Sequence, residues 1–130
     1  MFSGYALVKI GVIFYSDNKR AKRFNTLQGY LIGKNRENTL LNYDIYLHKN
    51  SKTWVTFVHG AGGSSAIWYK QVREFRDHFN VLLLDLRGHG NSKPGLKDAF
   101  NDKYTFDYIT DDIVAVIDHL KIEKSHFIGI

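Results

Sequence analysis

The chain has 130 residues, enough for one domain with a substantial core, and its 44% hydrophobic and 24% charged residues argue against a disordered protein. It has no cysteine, which excludes a disulfide framework and a thiolate metal site; this is compatible with a reducing compartment, and we expect a cytoplasmic protein. The net charge of +5 is concentrated in residues 1–24, which hold five basic residues against one acidic residue, so the body of the chain offers no basic surface for nucleic acid.

The first segment, residues 1–24, is apolar and then basic. Tyr5 to Tyr15 is interrupted only by Lys9, and a basic run from Lys19 to Arg23 follows. The apolar part is shorter than the roughly 20 residues that cross a bilayer, and it lacks the basic start and the cleavage site of a signal peptide. We expect a strand or helix packed on the domain, followed by a solvated basic turn. The alternative is peripheral anchoring at a membrane surface.

Residues 25–130 are predicted to form part of a single domain that is incomplete at its C-terminal end. Residues 27–33 and 40–48 are the first two strand candidates. In the second, Leu41, Tyr43, Ile45 and Leu47 alternate with Asn42, Asp44, Tyr46 and His48, which is the period of a strand with one wetter face. The polar residues 34–38 between the candidates indicate a turn, so we expect an antiparallel hairpin or meander ahead of the core.

The central stretch is a strand followed by a glycine-rich loop. Residues 54–58 are apolar and rich in β-formers, and His59-Gly60-Ala61-Gly62-Gly63 follows directly. The glycines allow a sharp turn that brings backbone N–H groups close to a ligand, and Ser64 or Ser65 can cap the next helix. A strand, a glycine loop and a helix start in this order favour negative charge, permanent or developing during a reaction.

The remaining residues repeat the alternation of helix and strand. Two series of apolar residues at i, i+4, i+7 and i+11 predict helices, and Thr105 is placed to cap the second. The apolar run 81–84 and residues 126–130 predict buried strands, and a second glycine loop covers residues 86–92. The helical positions are Trp68, Val72, Phe75 and Phe79, then Ile109, Ile113, Val116 and Leu120. This order predicts the α/β class: a mostly parallel central sheet with helices on both faces, preceded by the antiparallel hairpin.

Two phosphate-binding patterns can be compared with the first loop. The Walker pattern fails because no lysine follows the glycines. The dinucleotide fingerprint fits better, since residues 60–65 read G-x-G-x-x-S and Asp85 ends the next strand, where a ribose-binding acid would lie. Against it, Ser65 replaces the third glycine, and two strand candidates precede the loop. A nucleotide-binding oxidoreductase therefore stays as a less favoured alternative.

The three motifs together resemble the α/β-hydrolase family. They are His59 to Ser64, then Asp85-Leu86-Arg87-Gly88-His89-Gly90-Asn91-Ser92, then residues 127–130, and they match that family's third, fourth and fifth strands in order and spacing. The resemblance implies that the backbone N–H of Ala61 contributes to an oxyanion hole, supported by His59, Gly60, Gly62 and Gly63. It also implies that Gly129 and Ile130 begin the nucleophile elbow G-x-S-x-G.

By this resemblance the nucleophilic serine follows Ile130 immediately, and the acid and histidine of the triad follow later, so no catalytic side chain is expected within these residues. The implied activity is hydrolysis of a carboxylic ester, a lactone or a thioester, without a cofactor. Aspartate after Ile130 would indicate an epoxide hydrolase or dehalogenase, and glycine or alanine would indicate a non-catalytic ligand-binding member of the fold. Because the sequence stops at that position, we also expect the next residue to carry a covalent adduct.

Several other residues invite a functional interpretation. His89 could be taken for a catalytic base, but the resemblance places it in a structural loop beside the active-site face. Asp85 could be taken for the acid of the triad, but in the family that acid follows a later strand. Trp68 is expected in the core, and Asp111 and Asp112 are expected to face solvent on a helix. The other four histidines show no metal-ligand spacing, and no metal site is expected; they are His48, His78, His119 and His126.

Overall fold

The computed structural model describes residues 5–13, 25–33, 40–92 and 104–130. Strand β1 is Tyr5–Ile13, β2 is Asn25–Gly33, β3 is Leu40–Leu47, β4 is Trp54–Val58, β5 is Asn80–Leu84 and β6 is His126–Gly129. A 3-10 helix at Ser65–Trp68 continues into helix α1, Tyr69–Phe75, and helix α2 is Phe106–His119. The basic run 19–23, the expected turn at 34–38 and residues 93–103 lie outside the described residues.

The described strands form one sheet in the order β1-β2-β3-β5-β4-β6. β1, β2, β3 and β5 pair antiparallel to one another in turn, and β4 pairs parallel with β5 on one side and with β6 on the other. The predicted antiparallel pair is therefore β2 and β3, and β3 pairs with β5 at one side of the parallel strands β5, β4 and β6. The predicted α/β class is confirmed.

The two helices pack on opposite faces of this sheet. Successive residues of β5 point to alternate faces, so Leu82 and Leu84 pack in the cluster that contains Ala115 and Val116 of α2, while Val81 and Leu83 pack in the cluster that contains Val72 of α1. All five residues of β5 are buried, as the unalternated apolar run predicts.

The structure corrects two local predictions. The apolar series that ends at Phe79 is not one helix: α1 ends at Phe75, and the chain turns through residues 76–78 before β5. The second correction concerns Asn42 on the predicted solvent-facing side of β3. It is only 1% exposed, because its backbone N–H and its side chain donate hydrogen bonds to the loop after β5. The predicted capping residues are correct, since Ser64 accepts from the N–H of Ala66 and Thr105 from that of Tyr108.

Candidate active site

The loop after β4 is braced by His59, which is 1% exposed. The backbone N–H of Leu86 donates to His59 Nε2 at 3.0 Å, so the ring proton lies on Nδ1, which donates to the carbonyl of Gly60 at 2.8 Å. The N–H of Gly63 donates to the same carbonyl at 3.1 Å. His59 is thus a neutral brace between the loops after β4 and β5, and both of its ring nitrogens are occupied.

This brace fixes the direction of the Ala61 N–H. The carbonyl of Gly60 and the N–H of Ala61 belong to one trans peptide, so they point in opposite directions in one plane. Two hydrogen bonds hold the carbonyl, and the N–H is therefore held as well. Ala61 is exposed, and no described residue accepts a hydrogen bond from its N–H. An oriented donor of this kind can receive a negatively charged oxygen.

The loop after β5 is organised by the carboxylate of Asp85, which is 2% exposed. One oxygen accepts from the N–H of Ser65 at 2.7 Å, and the other accepts from the N–H of Asn91 at 2.9 Å and from Nδ2 of Asn42 at 3.0 Å. Burial alone would raise the pKa of Asp85, but these hydrogen bonds outweigh it and hold the pKa below its usual value. With both oxygens occupied, Asp85 is not offered to a ribose or to a catalytic histidine.

The close packing around Asp85 requires glycine at position 90. Gly90 has a φ of +50°, and a Cβ atom there would lie 2.5 Å from the carboxyl group of Asp85. The hydroxyl of Ser92 closes the loop by donating to the carbonyl of Asp85 at 2.6 Å. Residues 90–92 of the second motif therefore enclose the buried carboxylate of Asp85.

An ion pair fastens the second loop to α2. Arg87 donates from Nε and Nη2 to the two oxygens of Asp112, at 2.6 and 2.8 Å, and its guanidinium lies 4.9 Å from the ring centre of Tyr108. The prediction that Asp112 faces solvent is wrong: it is 1% exposed because Arg87 meets it inside the fold. Asp111, one position earlier on the helix, is exposed as expected.

His89 joins the two loops from the other side. Its Nε2 accepts from the N–H of Gly62 at 3.0 Å, and its Nδ1 lies 2.8 Å from the carbonyl of Arg87. The resemblance places His89 in a structural loop, but no spacing in the sequence indicates its contact with Gly62. That contact and the one between Arg87 and Asp112 join residues 27 and 25 positions apart, beyond the range of helical or strand periodicity.

The first loop touches the carboxyl end of β6. Gly129 is paired in parallel register with Val58, and a Cβ atom on Gly60 would lie 3.0 Å from the carbonyl oxygen of Ile130. The structure therefore brings Gly129 and Ile130 to the same edge of the sheet as Ala61. Their roles as the start of the nucleophile elbow, and that of Ala61 in an oxyanion hole, stay predictions.

A cavity of about 360 Å³ lies beside the loops, on the α1 face of the sheet. Its lining includes Asp44, Ser65, Arg73, Arg76 and Asn91. Burial, and then repulsion from the charge of Asp85, raise the pKa of Asp44 to about 6. Asp44 is thus a second carboxyl group near the site, and its protonation state changes in mildly acidic solution.

The described residues show neither a metal cluster nor a membrane-spanning helix. No group of three or more histidine, aspartate or glutamate side chains among them is placed to hold a metal ion. Within the same ranges, every helix is too short or too polar to cross a bilayer. Trp68 is 6% exposed and packs against Phe57 in the core, with ring centres 5.0 Å apart, as predicted.

Comparison with known proteins identifies the family. A family model described as "alpha/beta hydrolase fold" matches residues 53–130. A RutD protein of Acinetobacter baylyi that bears the name of a carbamate hydrolase is 31% identical over 91 residues, which is 68% of this chain and 32% of that protein. The chain therefore spans about a third of the length of the curated relatives it matches.

Two solved structures give the same result. The enol-lactonase from Burkholderia xenovorans LB400 is 31% identical with a TM-score of 0.62, over 71% of this chain and 34% of that one. An epoxide hydrolase of the same superfamily, from metagenomes of hot environments, is 26% identical with a TM-score of 0.62, over 71% and 30% of the two chains. From the family match, the sheet order and the two loops beyond its strands, we conclude that the chain belongs to the α/β-hydrolase fold family.

Proposed function

We propose that the protein is a serine hydrolase that cleaves a carboxylic ester, with lactones and thioesters as related substrates. The observation that carries the proposal is the N–H of Ala61: it is held in direction through the Gly60 carbonyl and has no acceptor among the described residues. Hydrolysis of an ester passes through a tetrahedral intermediate with a negative oxygen, and a preorganised donor aimed at that oxygen lowers the barrier.

In this proposal the nucleophile is a serine that follows Ile130. The Gly60 backbone lies close to the carbonyl of Ile130, so a residue after Ile130 would follow from the edge of the sheet that carries Ala61. The serine attacks the carbonyl carbon while a histidine takes its proton, and a carboxylate holds the histidine in the required tautomer. The tetrahedral intermediate then collapses: the bond to the alcohol oxygen breaks, the alcohol leaves with the proton from the histidine, and an acyl-enzyme remains. Water activated by the same histidine attacks the acyl-enzyme, which releases the carboxylic acid and restores the serine. Names of relatives support acyl chemistry, since one bears the name of a carbamate hydrolase and another that of an enol-lactonase.

The test removes the donor from Ala61 in the full-length protein. Ala61→Pro lacks the N–H, and we expect kcat for a p-nitrophenyl ester to fall by about 10²–10³, the range measured when one oxyanion-hole donor is lost. Ala61→Ser keeps the N–H at an exposed position and is the matched control, expected within about threefold of wild type. Both variants should keep the wild-type circular dichroism spectrum.

Two outcomes would contradict the proposal. One is an Ala61→Pro variant, folded by the same spectrum, that retains wild-type kcat. The other is a wild-type protein that neither hydrolyses p-nitrophenyl esters nor reacts with a fluorophosphonate. Labelling should instead place the phosphonate on the peptide that continues from Ile130.

An epoxide hydrolase with an aspartate nucleophile is a second candidate, supported by the solved relative of that activity. In that chemistry a carboxylate opens the epoxide ring and an alkyl-enzyme ester forms, so a fluorophosphonate finds no serine to modify. Turnover of styrene oxide by a protein that resists the phosphonate would favour this candidate over the serine hydrolase.

A further inference from the structure

Both peptide planes beside Ala61 are held by histidines. The plane before it contains the Gly60 carbonyl, which accepts from His59 Nδ1 at 2.8 Å. The plane after it contains the N–H of Gly62, which donates to His89 Nε2 at 3.0 Å. The Cα atom of Ala61 therefore lies between two planes, and neither can rotate without breaking a hydrogen bond to an imidazole ring.

The ring of His89 is itself fixed in one tautomer. Because Gly62 can only donate, Nε2 of His89 is unprotonated, and Nδ1 carries the proton and donates to the carbonyl of Arg87 at 2.8 Å. The side chain of Arg87 is tied in turn to Asp112. A chain of contacts thus runs from α2 through the second loop to Gly62.

These contacts also limit what His89 can do. Both ring nitrogens are engaged with backbone groups, so neither is offered to a substrate as a general base. The two imidazole rings are tilted by 56° to each other with centres 5.3 Å apart, and each is hydrogen-bonded to a different peptide plane. The geometry therefore fits a role in orientation rather than in proton transfer.

We propose that His89 is a positioning residue for the oxyanion hole: it holds Gly62 and, with His59, aims the N–H of Ala61. This inference rests on the proposed hydrolase function, but the hydrogen bond itself is testable without any activity. Loss of the bond lets the second plane rotate, and the donor then spends time away from the reacting oxygen. Misplacement on the scale of 1 Å can cost up to about 10² in rate.

The first measurement is spectroscopic and uses the full-length protein labelled with ¹⁵N-histidine and ¹⁵N-glycine. We expect the imidazole resonances of His89 to show the tautomer protonated at Nδ1, and the Gly62 amide to be protected from solvent exchange. His89→Phe keeps an aromatic ring without an acceptor, so protection of the Gly62 amide should fall at least tenfold. His78→Phe, at an exposed histidine, is the matched control and should change neither resonance.

The second measurement is kinetic. For His89→Phe we expect kcat on a p-nitrophenyl ester to fall roughly ten- to hundredfold while KM stays within twofold. His89→Gln, whose amide oxygen can take the place of Nε2, should restore most of kcat and keep the Gly62 amide protected. If His89→Phe does not fold, His89→Leu, which also lacks an acceptor, replaces it. Unchanged protection of Gly62 in the variant without an acceptor would overturn the inference, and so would lost protection with wild-type kcat. A wild-type protein with the expected resonances but no hydrolysis would overturn the proposed function instead.

Discussion

Replacing Asp85 by asparagine tests whether one buried carboxylate holds the two loops together. Asp85→Asn keeps the shape of the side chain but turns one acceptor oxygen into a donor. Whichever oxygen is replaced, the new amide faces at least one N–H, from Ser65 on one side or from Asn91 on the other. That N–H loses its acceptor, and the remaining hydrogen bonds lose the assistance of the charge.

The magnitude follows from the hydrogen bonds. Each bond to a charged group contributes about 1.5–3 kcal/mol. Removing a charge from a site that is 2% exposed offsets part of that loss, because the neutral amide costs less to bury. We therefore expect the free energy of unfolding to fall by about 2–4 kcal/mol at pH 7. Asp77→Asn, at an exposed position after α1, should stay within about 0.5 kcal/mol of wild type.

The assay is urea denaturation of the full-length protein at pH 7 and again in acid. Hydrogen bonds hold the folded pKa of Asp85 below its usual value, so its contribution is fully present above the unfolded pKa, near 3.9, and is lost as pH falls through the folded pKa. The difference in free energy of unfolding between wild type and Asp85→Asn should therefore become smaller below about pH 4. A variant as stable as wild type at pH 7, or a gap that does not depend on pH, would refute the reasoning.

Two further changes probe the charge of half-buried Asp44 and the charge of buried Asp112. Asp44→Asn should make the protein about 1–3 kcal/mol more stable than wild type at pH 8. The pKa of Asp44 is raised to about 6 in the folded protein, so its contribution to the free energy of unfolding is fully present below about pH 4 and is lost as pH rises through 6. The difference in stability between Asp44→Asn and wild type should therefore disappear near pH 4. Asp112→Ala should cost about 3–5 kcal/mol, because it removes the carboxylate that balances a buried guanidinium.

Each of these measurements has its own control. For Asp44→Asn, the wild-type protein across the pH series is the reference, and a variant less stable than wild type at pH 8 would contradict the argument. For Asp112→Ala, Asp107→Ala is the matched substitution at an exposed position of the same helix. If the double variant Arg87→Met with Asp112→Leu were no more stable than Asp112→Ala, the uncompensated guanidinium would not be the cause of the loss.

The sequence predicted the features that depend on neighbours along the chain. The alternation at Leu41, Tyr43 and Ile45 places these side chains on one face of β3, and the structure buries all three in one cluster. The capping role of Thr105 follows from its residue type and from the apolar series after it. The strand that ends at Val58 and the glycines beyond it also locate the first loop, because such loops lie at the carboxyl edge of a parallel sheet.

Features that depend on distant partners could not be predicted in this way. Helical periodicity assigns Asp112 a place on α2, but its burial is decided by Arg87 on a different loop. The alternation in β3 predicts that Asn42 faces solvent. It is buried because it donates hydrogen bonds to Asp85 and Ser92, which lie in the loop after β5. The shortened α1 has a similar origin, since Phe79 fills a core position from a turn rather than from a helix.

The order of the strands in the sheet determines where a ligand-binding crevice can form. From β4 the chain passes through α1 to β5 on one side, and then through α2 to β6 on the other side of β4. The two connections lead to opposite sides of β4, and their helices α1 and α2 pack on opposite faces of the described sheet. At the strand where the direction of the connections reverses, an open α/β sheet has a crevice beyond the carboxyl ends of its strands, and this follows from the topology rather than from the side chains. The loop after β4 lies at that reversal, and its residues Ala61 and Gly62 are exposed there.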